Sequence, residues 1–104
     1  MPNGSIVKSI QRGSVNKRIT YPKGNSTWQT KNETITINNI NPSKSIILYS
    51  FEAIPTESYS EASVPGYGIT LSNNNIAIPI YYWYNSAREC EFDLVGWYEI
   101  IEFY

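Results

Sequence analysis

The chain has 104 residues, room for one core, and only 16% of them are charged against about 25% in an average protein, while 14% are aromatic, Tyr above all. No His and a single Cys exclude the commonest general base, every standard zinc set and an intrachain disulfide. The net charge of −1 hides two opposed halves: residues 1–44 carry seven Lys and Arg against Glu33, and residues 45–104 carry Arg88 against eight Asp and Glu.

That split has two readings. Either N-terminal strands lie beside C-terminal ones and the charges pair within one domain, or complementary patches let copies or partners dock. A field so balanced does not suit nucleic acid, whose phosphates need one sign. The opening Met1-Pro2-Asn3-Gly4 lacks an apolar stretch, and no apolar run approaches the eighteen or so residues of a membrane span, so neither an ordinary signal peptide nor membrane insertion is expected.

In chain order, Ser5 to Val15 predicts a first strand, kinked at Gly13 and suited to a sheet edge because its alternation is weak. Lys17 to Tyr21 predicts a short second strand, and Pro22 to Ser26 a turn-rich loop. Trp28 to Ile40 alternates cleanly, with Ile35 and Ile37 inward. After an Asn41 to Lys44 turn, Ser45 to Ala53 returns as a strand, so the two segments form a hairpin-like pair or bridge two sheets. Ile47, Tyr49 and Phe51 share one face and Ile46, Leu48 and Ser50 the other, a pattern that predicts cover on both sides.

Residues 54–67 hold Pro55, Pro65 and Gly66 without a strong period, and form either a covering loop or a contact surface built on Tyr59 and Tyr67 with Glu57 and Glu61. Asn73-Asn74-Asn75 predicts a hairpin between Gly68 to Ser72 and Ile76 to Tyr84. In its second arm Ile76, Ile78, Ile80, Tyr82 and Tyr84 form one row and Ala77, Pro79, Tyr81 and Trp83 the other, with Pro79 marking an edge or a bulge. Asn85 to Arg88 turns into the last strand.

That strand, Glu89 to Tyr104, stays apolar to the final residue and reads as central. Cys90, Phe92, Leu94, Gly96, Tyr98 and Ile100 share one face, and Cys90 reads there as a buried small hydrophobe. The other face begins with Glu91 and Asp93 and ends with Trp97, Ile101 and Phe103. A bulge or bend near Gly96, or a strand that leaves one sheet and joins another partway along, would make Trp97 a core anchor. The alternative is cover on both faces toward the strand's end, by this chain or by a second subunit. With no 3.6-residue period anywhere, the chain predicts one domain, residues 1–104, an all-β antiparallel sandwich or small barrel of seven or eight strands.

The carboxylate pairs Glu89/Glu91 and Glu99/Glu102, the Asp93 region as a calcium ligand, and the Asn-x-Ser/Thr triplets at Asn3, Asn25 and Asn32 have no spacing or context behind them. No catalytic residue, cofactor or metal site is expected. The run Tyr81-Tyr82-Trp83-Tyr84, with Tyr59 and Tyr67, is the binding candidate: alternation sends half of its rings outward, to serve an interface or a sugar, unless they are core.

Three stretches, VKSIQRGSV, TITINNINPSKSIILYSF and VGWYEIIEFY, resemble small proteins encoded among the structural genes of tailed bacteriophages. The shared pattern falls on Lys8 to Gly13, Asn41 to Ser45, and Trp97, Ile100 or Ile101, Glu102 and Phe103. The resemblance implies a non-enzymatic virion component, tail-associated or head-decorating, assembled in the host cytoplasm with other virion proteins or as a homo-oligomer. A looser similarity to the H-type lectin sandwich implies a carbohydrate-binding module for host-surface glycans. Neither supplies catalytic residues, and the Tyr81 to Tyr84 run departs from the phage group.

Overall fold

Two antiparallel sheets pack face to face in the structure, a computed structural model that describes residues 6–104. The first sheet orders β1 (Val7–Tyr21), β7 (Cys90–Phe103) and β3 (Ser45–Pro55) as β1-β7-β3. The second sets β2 (Thr27–Thr36) beside β6 (Asn75–Tyr84), with the short β4 (Ala62–Ser63) and β5 (Thr70–Leu71) along the other side of β6. This is the expected β-sandwich, with β7 at the centre of its sheet. Ser5, Asn3 and the Met1 to Gly4 opening lie outside the described residues.

The core forms where alternation puts β-branched and aromatic side chains on facing surfaces. Ile19, Tyr21, Cys90, Phe92 and Leu94 from the first sheet meet Ile76, Ile78, Ile80 and Tyr82 from the second. Burial pushes the Cys90 thiol pKa up, and its Sγ donates weakly to the Glu61 carbonyl (3.6 Å), so it packs as a buried, protonated thiol. The molecule measures 63 × 20 × 19 Å, because β1 and β7 run unbroken for 15 and 14 residues at about 3.3 Å each.

Several expectations are corrected. β1 is one strand rather than two, in register with β7 from Ser9 opposite Glu102 to Tyr21 opposite Cys90. Gly13 makes no kink; the Tyr98 ring lies over it in the space that a Cβ would take. The one register shift falls between Val7 and Ser9. At Gly96 β7 neither bulges nor bends, and it holds register with β1 and β3 together. The glycine serves close approach instead: at φ +155° a Cβ there would run into the Ser50 carbonyl and Phe51. Trp97 is therefore no core anchor. It stands on the outer face, 51% exposed.

The segments 28–40 and 45–53 bridge the two sheets and do not form a hairpin. Between them the chain leaves β2 and crosses the inner surface of the first sheet, where Ile37 and Ile40 are buried and Gln11 exchanges two bonds with the Asn38 backbone. A 3-10 turn at Pro42–Lys44 follows, capped by the Asn41 side chain accepting from the Ser43 N–H (3.1 Å). The two-sided cover expected for β3 is also absent: Ile46 and Leu48 face outward, about half exposed.

The Asn73 to Asn75 hairpin is present, closed by the Ser72 N–H donating to the Asn75 carbonyl (2.9 Å), although its first arm shrinks to Thr70–Leu71. Pro79 lies in the stretch of β6 between the partners of β4 and β5, a local edge that tolerates a residue without an N–H. The 54–67 stretch contains the end of β3 and β4, and is pinned to β7 by Thr56 and Ser60, both bonded to the Glu91 backbone (3.1 Å each). Of the two charge readings, pairing within the chain is observed: Lys8 with Glu102, Arg12 with Glu99, Lys17 with Glu33, and Arg18 with Asp93 and Glu91. Such pairs are screened by water and act mainly to select register.

Glu102 is the exception, because it is buried. It accepts from the Asn41 N–H (2.8 Å) and the Ser9 hydroxyl (3.1 Å), with the Lys8 ammonium 3.8 Å away. The Asn41 bond first, then Ser9 and Lys8, hold its pKa below the usual carboxylate range against the opposing effect of burial. A folded pKa below the unfolded one lends stability that is complete above the unfolded value of about 4.3 and drains as pH falls through the folded value.

Two outcomes test this frame. In urea unfolding, Phe92→Ala is expected to cost about 3–5 kcal/mol, and Trp97→Ala under about 1 kcal/mol; equal losses would contradict the outward placement of Trp97. Glu102→Gln is expected to be less stable than the parent at neutral pH and to lose less stability between about pH 5 and 3, and parallel acid titrations of the two proteins would refute the Glu102 account.

Candidate functional site

Two outward surfaces carry exposed apolar and aromatic side chains, one on each sheet. On the second sheet, alternation divides the Tyr81 to Tyr84 run. Tyr82 is in the core, its ring centroid 4.3 Å from that of Tyr21, and Tyr84 packs edge-on against Tyr82. Burial raises the Tyr82 pKa and, helped by the bond that the Tyr21 hydroxyl donates to Glu33 (3.0 Å), raises that of Tyr21. These two rings of the run are structural.

Tyr81 and Trp83 point outward, joined by Trp28 of β2, which pairs with Trp83 across the strands. Trp28 stacks on Tyr81 with centroids 4.6 Å apart and planes 15° from parallel, and meets Trp83 edge-on at 5.6 Å. Beside this cluster the 65–68 loop comes down onto β6, where Gly68 packs over Pro79 at φ +88°, a conformation that favours glycine. Thr30, Pro65, Tyr67, Gly68, Pro79 and Tyr81 line a groove of about 470 Å³, in which Tyr67 is more exposed than Tyr81. Tyr59 lies apart, its ring covered by the Arg88 guanidinium at 4.4 Å. Tyr67, Tyr81 and Trp83 thus share one surface, whereas Tyr59, Tyr82 and Tyr84 do other work.

The first sheet presents the second surface. Cross-strand pairing arranges its outer face in rows: Ile10–Ile101–Ile46, Arg12–Glu99–Leu48, Ser14–Trp97–Ser50, Asn16–Val95–Glu52 and Arg18–Asp93–Ile54. Ile10, Ile46, Leu48, Ile54 and Trp97 are each about half exposed, and Phe103 continues the apolar end. Both arginines among them are already closed, since Arg12 donates to Glu99 and Arg18 to Asp93, which raises the Arg18 pKa and holds that of Asp93 below its usual range.

Chemically, both surfaces offer stacking and apolar burial. Glu91, Asp93, Glu99 and Glu102 are engaged in tying strands together. Among the described residues no buried side-chain nitrogen or oxygen lacks a partner, and no three His, Cys, Asp or Glu are grouped to hold a metal ion. Sequence reasoning missed Trp28 because only the β2–β6 register sets it beside Tyr81. It missed the outer face of β3 because a strand apolar on both sides normally implies cover. Compared with family models, curated proteins and solved structures, the chain matches none.

Proposed function

We propose that the protein is a non-enzymatic structural component of a tailed-bacteriophage virion, tail-associated or head-decorating, acting by protein–protein assembly. The observation that carries assembly is the outer face of the β1-β7-β3 sheet, where Ile10, Ile46, Leu48 and Trp97 stand about half exposed in adjoining rows. A contiguous apolar patch of this kind marks an interaction surface, and its aliphatic residues suit another protein better than a sugar. The virion assignment rests on the resemblance carried by Lys8 to Gly13, Asn41 to Ser45 and Trp97 to Phe103.

A second reading, a carbohydrate-binding module for host-surface recognition, is favoured by one observation: the Trp28–Tyr81 stack beside an open groove. One comparison separates the two. Mass spectrometry of purified particles is expected to find the protein at a fixed, symmetry-related copy number, and Leu48→Asp to abolish its docking on particles that lack it. Absence from particles, together with glycan-array binding that disappears in Tyr81→Ala, would replace the first reading by the second.

A further inference from the structure

Resting on the assembly reading and naming its partner, we propose that the outer face of the β1-β7-β3 sheet is covered by a second copy of this chain. The two sheets stack back to back about a two-fold axis that lies between them, parallel to β7. Size is the first argument. Three strands about 4.8 Å apart and about 14 residues long at about 3.3 Å each make a face of roughly 14 by 46 Å. Two such faces remove about 1,300 Å² from water before side-chain relief is counted, within the range of about 1,200–2,000 Å² for stable pairs. A face this long and narrow is matched end to end by its own copy.

The arrangement of the aliphatic rows chooses the axis. A two-fold running across the strands would set β1 on the partner's β1 and lay the Ile10–Ile101–Ile46 row over the partner's Arg18–Asp93–Ile54 row. The all-aliphatic row would then lie on a charged one. An axis along β7 keeps every row over its own copy and sets β1 on the partner's β3. The isoleucine rows then meet, Trp97 packs at the middle against the partner's Trp97, and the arginine-bearing edge lies on the strand that carries the partner's Glu52. Glu52, which has no ion-pair partner within the chain among the described residues, then faces the partner's Asn16, one row from the partner's Arg18. Glu99 and Asp93 then lie on their own copies, each still held by its own arginine, Arg12 or Arg18. Near-aligned stacking about 10 Å apart is also the ordinary way two sheets pack.

Sedimentation equilibrium of the full chain, with cross-linking, tests this. The parent is expected to dimerise reversibly. Trp97→Ala and Leu48→Asp should weaken the dimer by about thirtyfold or more without altering the circular dichroism or the melting of the monomer, since both side chains point outward. Tyr81→Ala, on the other sheet, should leave dimerisation unchanged. Ile101→Cys should be joined to its counterpart by a short bis-maleimide, because only an axis along β7 brings the two copies of position 101 together. A parent that is monomeric at every concentration, a dimer broken by Tyr81→Ala and spared by Leu48→Asp, or a failed cross-link at 101 in a protein that still dimerises would each overturn the proposal. The first of these, in a protein that still docks on particles through Leu48, overturns the second copy alone. Dimerisation without any place on particles overturns the assembly-in-virion reading alone.

Discussion

The rest of the molecule depends on β7 being hydrogen-bonded along both edges without interruption. A strand paired to β1 on one side and β3 on the other cannot rotate or slip, so each of its side chains is committed to one face or the other from Phe92 to Glu102. Slipping by one residue would exchange Phe92, Leu94 and Ile100 for Glu91, Asp93 and Glu99. Since the first set is fully buried and the second ion-paired at the surface, the register is fixed from both sides of the sheet. Gly96 permits this, because β3 approaches closely at that point.

A consequence is that the sandwich is longer than its second sheet. β2 stops at Thr36, and the far half of β1, β7 and β3 is covered by the crossing segment 37–41 rather than by a strand. That segment has few ladder bonds of its own. It is held by Ile37 and Ile40 in the core and by side chains that accept or donate for its backbone, Gln11 at Asn38 and Glu102 at Asn41. Glu102 is thus a polar joint in an apolar region, satisfied by backbone, hydroxyl and ammonium groups together.

Much of the fold was legible from the sequence because period-two alternation is local. The inward row Ile76, Ile78, Ile80 and Tyr82, the Asn73 to Asn75 hairpin and the centrality of the last strand all follow from neighbouring residues. Pairing between distant strands is not local, and the errors collect there. Gly13 and Gly96 read as a kink and a bulge, yet each accommodates an atom from another strand, Tyr98 in one case and Ser50 in the other. Trp97 read as core because the text of a strand cannot say whether its second face is covered. The candidate site was legible in part: Tyr81, Trp83 and Tyr67 by parity and composition, but Trp28 only through a register that joins residues 55 positions apart.

The central claim is that β7 is one continuous strand whose second face the chain itself leaves open. Residue-by-residue amide hydrogen exchange tests it most directly, since a strand paired on both edges protects every amide along its length. The account predicts slow exchange from Phe92 through Ile101 with no gap at Val95, Gly96 or Trp97. Rapid exchange at those three amides, dividing β7 into two protected halves, would contradict it.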